Sequence, residues 1–257
     1  MTMMMLRRAC LAALLLAMPG LATAADIRVM ISGAFFEPFR QVVPQFERAT
    51  GHRVVTIQGA SMGNAPDAIP VRLARGEVAE VMILAAPALD ALIASGQAAP
   101  GSRVDLVRSL IGMSVRAGAR RWDISTEEGF VRALREASSI AYSASASGTY
   151  FSQTLLQRMG LEAEIGPKAR RILSERVGAV VARGDAELGL QQVSELLPIA
   201  GLDFIGVLPP SVQQATIFSA GIGTRAEEPA AARALVAFLA GPEVVEAIRA
   251  AGLEPLR

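Results

Sequence analysis

Short β-branched runs alternate with helical patterns from Ile27 to the end of this chain, and that alternation limits its fold more than any other feature. A strand, a helix and a second strand close as a right-handed βαβ unit, and the resulting parallel sheets bind ligands at the carboxyl ends of their strands. Strands are predicted at Ile27–Ile31, Val54–Gln58, Glu80–Leu84, Leu110–Val115, Ile140–Ser143, Glu187–Gln191, Phe204–Val207 and Thr216–Ala220. Helices are predicted over Phe36–Ala49, around Val71–Arg75, and over Pro87–Ser95, Thr126–Ala137, Thr149–Met159 and Arg176–Arg183, with two more at the C-terminus. In the first helix Phe36, Phe39, Val43 and Phe46 share a face, Pro44 introduces a kink and Gly51 ends it. Ser125 and Glu128 have the spacing of a capping box. The fold class is α/β.

One strand-to-helix junction stands out. Ser138-Ser139-Ile140-Ala141-Tyr142-Ser143-Ala144-Ser145-Ala146-Ser147-Gly148-Thr149-Tyr150 runs from a strand through a hydroxyl-rich turn into a helix start. Free backbone N–H groups and the positive end of a helix dipole make such a junction an anion site. Serine and threonine hydroxyls add donors without a competing charge. The same residues also serve as ordinary caps and turns.

The N-terminus reads as a secretory signal. Arg7 and Arg8 precede an apolar stretch from Ala9 to Met18, Pro19-Gly20 break it, and Ala22-Thr23-Ala24 supplies a small-x-small site, with cleavage expected after Ala24. The apolar stretch is too short for a permanent membrane anchor. A lipid-modified cysteine would follow the stretch, whereas Cys10 lies at its start. The expectation is a soluble periplasmic protein whose signal peptide, residues 1–24, is removed.

What remains is 233 of 257 residues without cysteine, which excludes disulfide and thiol chemistry. Without Arg7 and Arg8 there are 23 basic residues against 24 acidic, and no basic stripe argues for nucleic acid. No GxGxxG, Walker loop or GxSxG is present, and His52, the single histidine, sits in a polar turn after Gly51. No His/Cys cluster has zinc spacing, so neither a metal nor a cofactor is expected, and the protein is expected to be a monomer.

Several phrases together resemble a known family. They are Ile27-Arg28-Val29-Met30-Ile31-Ser32-Gly33-Ala34, Phe46-Glu47-Arg48-Ala49-Thr50-Gly51-His52-Arg53-Val54 and Leu73-Ala74-Arg75-Gly76-Glu77-Val78-Ala79-Glu80-Val81. Arg183-Gly184-Asp185-Ala186-Glu187-Leu188-Gly189 and Gly206-Val207-Leu208-Pro209-Pro210 extend the match over nearly the whole mature chain. The chain resembles the type II periplasmic solute-binding proteins, in particular their molybdate-binding branch. The resemblance implies two α/β lobes, 25–108 with 217–257 and 109–216, joined by crossings near Val107–Leu110 and Gln213–Phe218. It implies an oxyanion held in the cleft by hydroxyls and backbone N–H groups: Ser32 and Gly33, Ser61, and Ser143, Ser145 and Ser147 of the serine turn. It also implies a membrane partner, the permease of an ABC transporter.

Three departures from the molybdate pattern point to a larger, carboxylate-bearing ligand. Gln192 stands where the family has a ligand-facing tyrosine. The segment between Ser61 and Glu77 looks longer and carries Arg72. The turn from Ser143 to Tyr150 is bulkier and more polar. Arg72 or Arg176 is expected to clamp a carboxylate, because a planar guanidinium matches it with two parallel hydrogen bonds. These features are similar to a subgroup of the fold that includes aconitate isomerase.

Two functions therefore compete: a receptor capturing a small di- or tricarboxylate, and an isomerase moving an allylic proton between cis- and trans-aconitate. A molybdate or tungstate receptor and a ligand sensor rank below them. The enzyme needs a group of near-neutral pKa beside an acidic C–H. Glu37, Tyr142, Tyr150 and Glu175 are the candidates, and the residues alone do not choose among them.

Overall fold

In the computed structural model, which describes residues 24–256, the chain opens with β1 (Asp26–Ile31), α1 (Gly33–Thr50), β2 (Arg53–Gln58) and α2 (Ile69–Ala74). β3 (Val81–Ala85), α3 (Ala86–Ala94), β4 (Val104–Ser109), β5 (Ile111–Arg116), α4 (Glu127–Glu136), β6 (Ile140–Ser143) and α5 (Ala146–Tyr150) come next. They are followed by α6 (Leu156–Arg158), α7 (Glu162–Ile165), β7 (Ala169–Ile172), α8 (Val177–Ala182), β8 (Leu188–Gln192), α9 (Val193–Leu196) and β9 (Leu202–Val207). β10 (Thr216–Ile222), α10 (Pro229–Leu239), α11 (Val245–Ala250) and β11 (Glu254–Pro255) complete the chain. Apart from Ala24, the expected signal peptide lies outside the described residues.

The strands form two sheets, ordered β11-β4-β10-β3-β1-β2 and β7-β6-β8-β5-β9. β1 runs parallel to β2 and β3, and β6 parallel to β7 and β8. β10 is antiparallel to β3 and β4, and β5 is antiparallel to β8 and β9. The parallel sheet expected from the alternation is thus corrected to two mixed sheets. The reason is topological: β5 and β10 each enter their sheet from the other one, so no helical crossover within one sheet sets their direction. The chain passes between the sheets at Leu110 and returns across residues 208–215.

Both faces of the first sheet's centre are buried. Ile27, Val29 and Ile31 of β1, with Val81, Ile83 and Ala85 of β3, point into a core shared with α1, α10 and α11. Met30, Met82 and Leu84 alternate to the opposite face, against α2 and α3. A second core, around Phe130, Phe151, Leu188 and Leu190, packs the other sheet. A strand covered by helices on both faces reads as an unbroken apolar run, as β1 and β3 do.

Local details differ from expectation in ways the geometry explains. In α1 the fully buried aromatic is Phe35, with Phe39 and Phe46, while Phe36 is half-buried. Gly51 ends the helix in the left-handed region at φ 73°, and its N–H donates to Glu47 O at 2.8 Å. The helix expected over Thr149–Met159 starts earlier, at Ala146, and its middle, Phe151–Leu155, widens to π geometry. The cap of α4 is Thr126, not Ser125: Thr126 Oγ1 accepts from Gly129 N at 3.1 Å, while the Ser125 N–H donates to Asp123 Oδ1 at 2.9 Å. Thr126→Ala is therefore expected to cost about 1 kcal/mol, measured as a lower denaturant midpoint with unchanged slope.

Candidate functional site

A cavity of about 150 Å³ lies between the two sheets, at the carboxyl ends of β1, β2, β6, β7 and β8. Ser32 and Gly33 line it from the first sheet, together with Gly59–Ser61 and Asp67. From the second sheet come the serine turn, Leu173–Arg176, Gln191, Gln192 and Glu195. The structure thus brings together Ser32, Gly33, Ser61, Ser143, Ser145, Ser147, Glu175, Arg176 and Gln192 of the residues singled out above.

Ser32 joins β1 to α1 and is held by its N–H, which donates to Ile83 O at 2.8 Å. Its side chain makes no cap bond to the helix, and its Oγ is buried without a hydrogen-bond partner. An unsatisfied buried hydroxyl costs about 1–3 kcal/mol, and this one lies on the cavity wall. The 18-residue helix behind it has no acidic residue in its first turn to neutralise its positive end.

The serine turn is hydrogen-bonded within itself and to the first sheet's side of the cavity. Ser143 Oγ and Ser147 Oγ lie 3.1 Å apart, the Ser145 N–H donates to Ser143 Oγ at 3.3 Å, and the Ser61 N–H reaches across to Ser145 Oγ at 3.1 Å. Ser61 Oγ accepts from Ala85 N at 3.0 Å, which leaves its own O–H to donate. Gly148 lets the turn close, since a Cβ there would stand 1.7 Å from Ser143 O.

Arg176, just ahead of α8, lies half-buried with its guanidinium 5.7 Å from the centre of the Phe36 ring on α1. Among the described residues no carboxylate forms an ion pair with it, whereas the neighbouring Glu175 is paired with Arg183 at 2.9 Å. Arg72 is placed elsewhere. It is bound to Glu77 at 2.7 Å and to Asp67 O at 3.3 Å, and it does not line the cavity. Of the two arginines expected to clamp a carboxylate, only Arg176 lines the cavity.

Three of the four candidate acid–base groups are also engaged outside the cavity. Tyr150 Oη donates to Val212 O at 3.0 Å within the second core, and Tyr142 packs on Phe151 with ring centres 5.4 Å apart. Glu37 pairs with Arg40, which holds its carboxyl below the usual range. Gln192 lines the cavity, but both ends of its amide are taken: Oε1 accepts from Ser109 Oγ at 2.8 Å and Nε2 donates to Thr216 Oγ1 at 3.3 Å. His52 is a structural residue, its Nδ1 accepting from Ala25 N at 3.2 Å.

The residue that sequence reasoning missed is Glu195, on α9. Burial pushes its carboxyl up to about 7, although the Arg176 charge and a hydrogen bond from Gln191 pull the other way. Gln191 Nε2 donates to Glu195 Oε2 at 2.6 Å, while Gln191 Oε1 is fixed by the Val177 N–H at 3.0 Å. Across the cleft Glu195 meets Gly33, where a Cβ would lie 2.2 Å from Glu195 Oε2. The sequence did hold a signal. Gln191 and Glu195 flank a strand-to-helix junction at the carboxyl end of β8, beside Gln192.

A two-sheet α/β fold with a polar cavity between the sheets is the architecture of a solute-binding protein. The chain belongs to the bacterial extracellular solute-binding protein family, whose profile matches residues 27–254; the family implies a periplasmic protein that binds a small ligand and often serves an ABC transporter. It is 46% identical over 249 residues to the aconitate isomerase of a Pseudomonas species, covering 96% of this chain and 95% of that one. It is 27% identical over 242 residues to the molybdate-binding protein ModA of Azotobacter vinelandii, covering 90% of each. The solved periplasmic molybdate-binding protein of that organism superposes with a TM-score of 0.71 at 25% identity, over 90% of this chain and 100% of that one. No helix among the described residues is long and apolar enough to cross a membrane.

Proposed function

We propose that the protein binds a di- or tricarboxylate between its sheets and interconverts cis- and trans-aconitate by allylic proton transfer. The observation that carries this reading is the half-buried Arg176 cation, without an ion-pair partner among the described residues, facing the same cavity as the unpartnered hydroxyl of Ser32. A tetrahedral oxyanion needs neutral donors only, whereas a carboxylate suits a guanidinium fork. The 46% identity to an aconitate isomerase supports the choice of substrate. In this reading Ser32, Ser61, Ser145 and Ser147 donate to further carboxylate oxygens. The buried apolar clusters divide by sheet, which supports lobes of 25–108 with 217–257 and 109–216. The mature protein begins at Ala25 and works in the periplasm as a monomer.

The second reading, a receptor that delivers the same anion to an ABC transporter permease, is favoured by the family alone. One experiment separates them. Purified protein is incubated with each aconitate isomer and followed by proton NMR, beside a thermal-shift panel of molybdate, sulfate, citrate and both aconitates. The expected result is stabilisation by the carboxylates and formation of the other isomer. Stabilisation without turnover leaves the receptor, and stabilisation by molybdate alone overturns the carboxylate reading.

A further inference from the structure

Resting on that reading, we propose that Glu195 is the catalytic residue that carries the proton, one carboxylate serving both carbons of the allylic system, and that Gly33 lacks a side chain to admit it. The other carboxylates at the cavity are held by partners: Asp67 accepts from Ser174 Oγ at 3.0 Å and Glu175 pairs with Arg183 at 2.9 Å. Glu37 on α1 is tied to Arg40. Glu195 faces a neutral amide on one side and bare backbone at Gly33 on the other, with Arg176 the cation whose charge reaches it. Because Val177 N–H fixes the Gln191 amide, Gln191 holds Glu195 Oε2 in one orientation and leaves Oε1 to the ligand. A carboxyl raised to about 7 is half-ionised near neutral pH, which suits a group that must first accept and then return a proton.

The step balances within the substrate and this one residue. A Glu195 oxygen takes a proton from the methylene carbon; the C–H bond breaks and its electron pair delocalises over the allylic carbons and the attached carboxylate. The same O–H then delivers the proton to the former vinylic carbon, and the double bond has moved by one position. Since the carbon skeleton is the same read from either arm, the shifted alkene is aconitate again, with its geometry set by how the pocket holds the arms. Arg176 and the serine hydroxyls keep those arms still while the proton moves.

The test compares the wild-type protein with Glu195→Gln, Glu195→Asp and Gly33→Ala. Calorimetry with trans-aconitate gives binding, and proton NMR in deuterated water gives isomerisation and deuterium uptake. Glu195→Gln should bind within about threefold of wild type and isomerise at least about a thousandfold more slowly, within the range general bases contribute. Gly33→Ala keeps the carboxyl but displaces it, so its kcat should fall at least about tenfold. The kcat/KM of the wild type should rise through an acid limb near pH 7, and Glu195→Asp should shift that limb. Early product should carry less than one deuterium, because a single base returns part of the hydrogen it removed. Turnover by Glu195→Gln within tenfold of wild type, or full deuteration of the first product, overturns the assignment while leaving the isomerase reading intact. A wild type that binds both aconitates and converts neither overturns both.

Discussion

Arg176→Ala is expected to weaken binding of trans-aconitate by on the order of a thousandfold. A hydrogen bond to a charged partner contributes about 1.5–3 kcal/mol, a guanidinium makes two such bonds to one carboxylate, and about 1.4 kcal/mol is tenfold in affinity. Two features of this arginine raise it above an ordinary surface cation, whose pairs are worth less than about 1 kcal/mol. It has no ion-pair partner among the described residues to give up, and its guanidinium already rests on Phe36, so little further ordering is needed. Arg176→Lys should recover only part of the loss, since an ammonium keeps the charge and not the fork. A second consequence has a definite sign. Arg176 pulls the Glu195 carboxyl down, so its removal should move the acid limb of turnover to higher pH. Calorimetric affinity within fivefold of wild type would make Arg176 a bystander.

Glu80→Ala is expected to destabilise the fold by about 1–3 kcal/mol, the cost of leaving the Arg28 backbone N–H without its acceptor, while the half-exposed Arg28 guanidinium keeps Glu227 as a partner. Glu80, fully buried just ahead of β3, accepts from Arg28 N at 2.7 Å, Arg28 Nε at 3.1 Å and Arg28 Nη2 at 2.9 Å. For a chain of this length each kcal/mol moves Tm by roughly 2–4 °C, so calorimetry should show a fall of about 5 °C. Burial pushes the Glu80 carboxyl up, but its bonds from Arg28 outweigh that and leave it below the usual carboxylate range. A depressed carboxyl stabilises the fold above its unfolded pKa, and that stability is lost as pH falls through the folded value. The wild type should therefore lose Tm under acid more steeply than Glu80→Gln does. Both variants should retain aconitate affinity, because Glu80 does not line the cavity.

The central strands and the serine turn were legible because their signals are local: apolar runs for β1 and β3, and hydroxyls between a strand and a helix for Ser143–Ser147. β4 and β7 were not foreseen. Val104–Ser109 is interrupted by Asp105 and Arg108, and Ala169–Ile172 carries Arg170 and Arg171, so neither shows an apolar run. The two arginines were indistinguishable as sequence. What separates them is Glu77, close enough to bind Arg72, against Phe36 on a distant helix, which receives Arg176. Glu195 was illegible for the same reason, since the closure that raises its carboxyl comes from residues remote in the chain, Gly33 among them.

The order of the strands gives the molecule the mechanics of a lever. Both connections between the sheets leave from one side, β4 and β10 meeting β5 and β9, while β2 and β7 stand at the opposite margins. Each margin lies three strand spacings from the nearest connecting strand, about 14 Å. Gln192 ties Ser109 to Thr216, so the two connections turn as a single axle. A rotation of about 10° there parts the margins by roughly 2–3 Å, more than a hydrogen bond survives. The bond from Ser174 to Asp67, joining the loops that follow β7 and β2, lies at that far margin, where such a rotation displaces atoms most. The order of the strands therefore fixes which edge of the cavity a rotation of the sheets would open, the one bridged by Ser174 and Asp67.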